Sequence, residues 1–199
     1  MSLPKMKTHV YTAYSQWNAH AYNREQLDES SIITIEDYQQ NLEVVHMENP
    51  TSTAYSTNKI TLALYPICIE YKVNGVLHKG AVVFISDDKN HDVQQVAAFE
   101  ERMFEVARLK IPHPVRHWQR WTDGCGEQFR SRFTNSYCME ANKRFNLDST
   151  SWEYFEAHEG KNTSDTLGSI VKCAFLRALV NHPGQIRCAK DVVCGPRVN

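Results

Sequence analysis

The stretch ITLALYPICIEYKVNGVLHKGAVVFIS, residues 60–86, decides how this sequence folds. It contains two apolar runs, 60–72 and 80–86, and in the first of them Ile60, Leu62 and Leu64 alternate on one face of a strand. Asn74 and Gly75 separate the runs, and this dipeptide strongly favours the two-residue turn of a β-hairpin. The stretch therefore predicts two antiparallel strands joined by a tight turn.

Further elements are predicted on both sides of this hairpin. Upstream, residues 1–40 show helical spacing in places, and the short apolar run NLEVVHM at 41–47 predicts a first strand. Downstream, apolar residues of the stretch 93–110 recur at steps of three and four, which predicts a helix with Asp92 at its N-terminus. The remaining predictions are a strand at 113–122, a helical or irregular segment at 127–144, a strand at 151–157 and a last helix with Ser164 as N-cap.

The predicted elements follow one another as three strands, a helix, a strand, a connecting helix, a strand and a final helix. This is the order of the ribonuclease H fold. The order predicts an α/β protein with a ribonuclease H-like core, in which helices flank a mixed five-stranded sheet. We divide the chain into a helical N-terminal extension at 1–40, the core at 41–182 and a C-terminal tail at 183–199.

Composition and charge narrow the class of protein. No apolar run approaches the roughly 20 residues of a membrane span, and the N-terminus lacks the apolar core of a secretory signal. We therefore expect an intracellular protein that is neither secreted nor bound to a membrane. The net charge is only −1. Residues 108–144 nevertheless carry eight basic and three acidic side chains, a pattern that fits either a phosphate-binding surface or a solvated charged face.

Carboxylates fall where a metal-dependent nuclease needs them. Phosphodiester cleavage with two metal ions requires acids from several elements to converge, and Mg²⁺ and Mn²⁺ prefer such oxygen ligands. In the predicted order the first and fourth strands are parallel neighbours that end at Glu48 and Asp123, and the last helix supplies Asp165. Asp87 and Asp88 follow the third strand, roughly 10 Å from the first. They are secondary candidates, as is Glu159. The alternative for Asp87 and Asp88 is helix capping and loop solvation, and Asp123 could instead belong to an ordinary Asp-Gly turn.

Three segments resemble a group of eukaryotic transposon-derived proteins. TDGCGEQFRSRF at 122–133 is similar to their SDGC-x-x-Q-[FY]-K-[SN]-[KR] box, and VFISDDKNHD at 83–92 is similar to their ISDD-x-x-HD segment. FEAHEGKNTSDTLGSIVK at 155–172 resembles their F-x-x-x-HGKG-x-x-D-G-x-G-x-x-K segment. The spacing between the three also fits, so the resemblance covers roughly residues 40–180.

The resemblance implies a DDE-type transposase or integrase core that acts on DNA with Mg²⁺ or Mn²⁺ in a nucleus. Asp123 would be the second acid and Asp165 the third, while Gly160 and Lys161 match the Gly-Lys of the HGKG box and Gly168 matches a later glycine. Lys161, Arg130 and Arg132 would contact the nucleic acid.

Departures from the family pattern leave three hypotheses open. Glu48 stands where the family has the aspartate of a D-F-x-E-N-like box, and Glu159 and Asn162 change the HGKG box. The chain is accordingly either an active nuclease or strand-transfer core, or a co-opted core that binds DNA or a protein partner, with a homo-oligomer possible in both cases. The third hypothesis is an unrelated α/β enzyme that uses Cys125 with His117 or His158.

Overall fold

Apolar strands at the centre of the chain form one mixed sheet with helices on both faces. The structure is a computed structural model, and it describes residues 3–45, 59–123, 132–155, 163–181, 186 and 188–194. The strands are β1 (Ser31–Glu36), β2 (Gln39–Val45), β3 (Lys59–Val73), β4 (Val76–Ser86), β5 (His117–Asp123) and β6 (Ser149–Phe155). The helices are α1 (Leu3–Gln26), α2 (Val93–Lys110), α3 (Arg132–Phe145), α4 (Thr163–Asn181) and α5 (Ala189–Cys194). The predicted α/β class and mixed sheet are confirmed.

The predicted hairpin forms between β3 and β4. The two strands pair in antiparallel register from Ala63 opposite Ser86 to Val73 opposite Val76. Asn74 and Gly75 between them both have positive φ, at 52° and 75°. A turn of this kind requires left-handed backbone at both central positions, which asparagine and glycine adopt most readily. Asp92 also begins α2 as predicted, because its carboxylate accepts a hydrogen bond from the backbone N–H of Gln95 at 2.8 Å.

The other long edge of β3 pairs with two consecutive strands. β1 lies antiparallel to residues 67–71 of β3, and β2 lies antiparallel to residues 59–64. These two strands run in the same direction and are separated only by Asp37 and Tyr38. The sheet has six strands instead of the predicted five because the first strand is interrupted here.

This interrupted strand also begins earlier than predicted. The apolar run NLEVVHM predicts the first strand at 41–47, whereas pairing with β3 already starts at Ile32. The boundary drawn at residue 40 therefore falls inside the paired segment. β1 further pairs in parallel with β5, and β5 pairs in parallel with β6. Across the sheet the order is thus β4, β3, the β1–β2 pair, β5 and β6.

Side chains alternate between two buried faces along β3. Tyr65, Ile67 and Ile69 pack in a core with residues of α2 and α3. Leu62 and Leu64 pack with Phe175 of α4 and with Ile186 and Ala189 near the C-terminus. Because helices cover both faces, the strand is apolar on both sides.

The N-terminal and C-terminal segments also pack on this sheet. Trp17 of α1 lies against Phe155, with ring centroids 4.8 Å apart, and Leu27 is buried beside Trp121. In α4 the large apolar side chain that is buried is Phe175, whereas Ile170 on the same helix is 60% exposed. Among the helices of the described residues, none is both long enough and apolar enough to cross a membrane.

Candidate functional site at the ends of β1 and β5

Two aspartates stand at the carboxyl ends of the parallel strands β1 and β5. Glu36 is paired with Thr122 in the register of these strands. Asp37 follows Glu36 directly, and Asp123 follows Thr122 as the last residue of β5. The backbones of the two aspartates therefore lie at the same edge of the sheet on neighbouring strands. Asp37 is half-buried, and for Asp123 the structure describes the backbone alone.

The first turn of α4 is attached to the same segment at two points. The Ser164 hydroxyl is buried and donates a hydrogen bond to the carbonyl oxygen of Ile35 at 2.8 Å. The Gln39 side-chain amide donates to Oδ1 of Asp165 at 3.0 Å. Asp37 lies midway between Ile35 and Gln39, roughly 7 Å from each along an extended chain. The carboxylate of Asp165 is therefore held beside the segment that contains Asp37.

A buried ionic cluster lies directly beneath this edge. The Arg120 side chain is fully buried, and its Nε donates to Oε2 of Glu36 at 3.0 Å while Nη2 lies 2.7 Å from Oε1 of Glu100. The Tyr65 hydroxyl also donates to Oε2 of Glu36 at 2.8 Å. The guanidinium carbon of Arg120 lies 3.6 Å from the centroid of the Trp152 ring. These contacts fix the backbone of β1 and β5 immediately before Asp37 and Asp123.

Two carboxylates in this cluster share one guanidinium in a region without water access. Burial raises the pKa of Glu100 well above its usual value, and Glu36 raises it further, although Arg120 acts in the opposite direction. Burial alone would lower the pKa of Arg120, but Glu100 and Glu36 raise it on balance, so the guanidinium stays charged. The cluster is therefore close to neutral when Glu100 retains its proton.

Tyr38 links the segment after Asp37 to the loop that precedes α2. Its ring stacks on His91 with centroids 4.1 Å apart, and its hydroxyl donates to Oε1 of Gln95 at 2.6 Å. Nε2 of His91 lies 2.8 Å from Oδ1 of Asn41. Burial lowers the pKa of His91, with Asp88 acting in the opposite direction. The VFISDDKNHD segment at 83–92 therefore packs against the candidate site.

Asp87 and Asp88, the secondary candidates, have hydrogen bonds within loops and caps. Oδ1 of Asp87 accepts a hydrogen bond from the backbone N–H of Ala189 at 2.9 Å, at the start of α5. Oδ1 of Asp88 accepts one from the backbone N–H of Asn90 at 3.1 Å. Both residues are exposed. The contact of Asp87 caps the start of α5 and the contact of Asp88 lies within an exposed loop, in keeping with the alternative of helix capping and loop solvation.

Several predicted site residues lie outside the described residues, namely Glu48, Glu159, Lys161 and Arg130. Arg132 is exposed at the start of α3, with its guanidinium carbon 4.9 Å from the ring centroid of Phe133. Val45, the last residue of β2, is paired with Lys59 and lies about 30 Å along the strand from Glu36. Asp37, which directly follows Glu36, is thus the acid beside the end of β5, and it was not among the predicted site residues.

Asp37 could have been found from a signal in the sequence. IITI at 32–35 is an apolar run broken only by Thr34, and the two acids that follow it, Glu36 and Asp37, are candidates for the end of a buried strand. The longer run at 41–47 competed with it, because a single continuous strand was expected there. The parallel register with β5, which identifies Asp37, depends on pairing between residues that are far apart in sequence.

The described residues bear on two other chemical possibilities, a cysteine–histidine pair and a preformed metal cluster. A cysteine–histidine pair would use Cys125 with His117 or His158, but Cys125 and His158 lie outside the described residues. His117 lies at the opposite end of β5, where its Nδ1 is 2.8 Å from Oγ of Ser149. Among the described side chains, no three His, Cys, Asp or Glu residues group closely enough to hold a metal ion. Asp37 and Asp165 are among those side chains, whereas Asp123 is not.

The fold and this edge define the class of protein: an α/β domain with a mixed sheet and an acidic strand edge beside the N-terminus of its last long helix. Residues 16–194 match the family described as a domain of unknown function, DUF8701, and the chain belongs to that family. No curated protein and no solved structure matches the chain.

Proposed function

We propose that this domain is a ribonuclease H-like core derived from a DDE transposase, and that it cleaves or transfers DNA strands with Mg²⁺ or Mn²⁺. The observation that carries the proposal is the meeting of β1, β5 and α4 at one edge, where each brings an aspartate. Asp37 and Asp123 follow paired residues of neighbouring parallel strands, and Asp165 is hydrogen-bonded to Gln39.

The strand order supports the same proposal. The ribonuclease H order predicts a long antiparallel hairpin, a first strand in the middle of the sheet and two parallel strands beyond it. The strands of this domain follow that arrangement. The segment after β1 reads Asp37-Tyr38-Gln39-Gln40-Asn41. It keeps the aspartate, an aromatic residue and the asparagine of the D-F-x-E-N pattern, which HMENP around Glu48 does not. We therefore propose Asp37 in place of Glu48 as the first acid.

The donor set fits the expected metal. Asp37, Asp123 and Asp165 would provide carboxylate oxygens, which are the ligands that Mg²⁺ and Mn²⁺ prefer. A bound divalent cation would supply charge neutralisation at the phosphate and activation of a water molecule. The buried cluster of Glu36, Arg120 and Glu100 would hold the two strand ends rigidly, which such chemistry requires because small displacements are costly. DNA is the proposed partner, and a nucleus is the corresponding location.

The test is a calorimetric titration of the protein with Mn²⁺. We expect stoichiometric binding to wild type and a loss of at least about tenfold in affinity for Asp37→Asn, Asp123→Asn and Asp165→Asn, since each removes one anionic ligand. Asp148→Asn is the matched control, because Asp148 is exposed at the opposite end of the sheet. Nicking of supercoiled DNA in the presence of Mn²⁺ would follow.

Two outcomes of this titration would change the proposal. If Glu48→Gln abolished binding and Asp37→Asn did not, the first acid would be Glu48 as the sequence analysis predicted. If wild type bound no Mn²⁺, the catalytic proposal would be wrong. The co-opted core that binds DNA or a protein without cutting would then be the better hypothesis, and electrophoretic mobility shifts with DNA would test it.

A further inference from the structure

A glycine in the first half of α4 lies directly under the Gln39 side chain. A Cβ atom built on Gly168 would lie 2.5 Å from Cγ of Gln39 and 2.8 Å from its Cδ. Real Cβ atoms do not approach other atoms so closely, so any larger residue at 168 would force this side chain to move. Glycine inside a helix is less favourable than alanine, because its backbone loses more conformational freedom on folding. The close contact between the Gln39 side chain and the helix explains why glycine stands at this position in spite of that cost.

The same side chain ends on the carboxylate of the proposed third acid. Nε2 of Gln39 donates to Oδ1 of Asp165 at 3.0 Å, and Asp165 and Gly168 are three residues apart on one face of α4. The pairing of β2 with β3 is irregular between Gln39 and Leu42. This irregularity accompanies a side chain that crosses to the helix instead of following the regular pattern of a strand.

A primary amide suits the orientation of a metal-binding carboxylate. It donates a hydrogen bond to one oxygen without neutralising the charge, whereas a lysine or arginine at the same place would compete with the cation. A carboxylate that is held in this way does not have to lose rotational freedom when the cation arrives, which favours binding.

We propose that Gln39 is a positioning residue that holds Asp165 in the orientation needed for a divalent cation, and that residue 168 is glycine so that Gln39 can reach Asp165. The inference rests on the proposed function, because it concerns the same three acids. It adds two residues to that site that are not metal ligands. A merely structural Gln39 would instead attach α4 to the sheet and have no effect on the cation.

Substitution by methionine separates these two possibilities. Gln39→Met keeps a long unbranched side chain that can pack over Gly168, but it cannot donate to Asp165. We expect Gln39→Met to unfold in urea at nearly the wild-type midpoint in the absence of metal, and to bind Mn²⁺ about tenfold more weakly, within the range for loss of a hydrogen bond to a metal ligand. Ser169→Ala, an exposed substitution on the same helix, is the control and should change neither quantity.

Gly168→Ala provides an independent route to the same effect. The new methyl group displaces Gln39, so Mn²⁺ affinity should again fall about tenfold. In the background of Gln39→Ala the clash is absent and the hydrogen bond is already lost. There Gly168→Ala should cause no further loss of affinity, and in metal-free protein it should destabilise less than it does in wild type.

The outcomes distinguish this inference from the proposed function. Unchanged Mn²⁺ affinity in both Gln39→Met and Gly168→Ala, together with loss of binding in Asp37→Asn, would overturn the positioning inference and leave the metal site intact. Additive losses in Gly168→Ala and Gln39→Ala would also overturn it. If wild type bound no Mn²⁺, the proposed function would be wrong and the inference would fail with it.

Discussion

The two ends of the central pair of strands, β1 and β5, use the same kinds of residue in different ways. Where the strands begin, Oδ1 of Asp28 accepts hydrogen bonds from the N–H and hydroxyl of Ser30 and from the hydroxyl of Ser31, two and three residues away. Where the strands end, Asp165 is hydrogen-bonded to Gln39, 126 residues away. An acid with local partners stabilises a turn, whereas an acid with distant partners depends on the complete fold.

The ionic side chains at the two ends of these strands also differ in burial. Arg116, next to the start of β5, lies 3.9 Å from Asp148, and both side chains are well exposed. Arg120, four residues further on, is fully buried between Glu36 and Glu100. Ionic contacts at the first end are screened by water, while those at the second end are not. The second end is therefore the one at which substitutions should affect both the fold and the proposed site.

The largest difference is expected between the two arginines. Arg120→Met leaves the buried side chains of Glu36 and Glu100 without their cation and should lower the free energy of unfolding by about 3–5 kcal/mol. Arg116→Met removes an exposed contact and should change it by less than about 0.5 kcal/mol. Urea denaturation of both variants measures the difference. Equal effects would show that the buried cluster does not stabilise this end more than the exposed pair stabilises the other.

A pH series sharpens the comparison at Glu100. Its pKa is raised by folding, mainly through burial, so its contribution to stability is complete below the unfolded value of about 4.3 and is lost as the pH rises toward the folded value. Wild type should therefore lose stability relative to Glu100→Gln from about pH 5 upward. Unfolding in urea at several pH values between 5 and 8 measures this gap, and a gap independent of pH would contradict the assignment of the proton to Glu100.

The smallest effect is expected at Asp28. Its pKa is lowered by the hydrogen bond from Ser31 and by those from Ser30, so it stabilises the fold above its unfolded value of about 3.9 and loses this contribution as the pH falls through the folded value. Asp28→Asn should cost less than about 1 kcal/mol at pH 7, because the group is exposed, and its deficit should shrink below about pH 4. Mn²⁺ affinity should be unchanged, and a loss would place the metal at the wrong end of the sheet.

Elements with strong local signals could be predicted from the sequence. The Asn74-Gly75 turn and the capping of α2 by Asp92 depend on residues within a few positions of one another, and both are confirmed. Ser164 was predicted as a helix cap, and it does lie at the start of α4. Its hydroxyl, however, bonds to Ile35 across 129 positions, a partner that helix patterns do not indicate.

The candidate site was predicted only in part, because its first member depends on register. Asp123 and Asp165 could be named from motifs in their own segments. Asp37 is identified by the pairing of Glu36 with Thr122, and no local pattern specifies that pairing. The contact of Gln39 with Gly168 was equally inaccessible, since it requires the separation between a strand and a helix to within an ångström.

The β3–β4 hairpin has a consequence for the order in which the domain folds. Its contacts join residues close in sequence and can form within microseconds, whereas the pairing of β1 with β5 closes a loop of more than 80 residues. We expect the hairpin to serve as an early template against which β1 and β2 align, and β5 and α4 to join later. The segments that contain the three aspartates of the proposed site then meet only in the last stage of folding. A cation would thus bind to a finished scaffold and would not nucleate it.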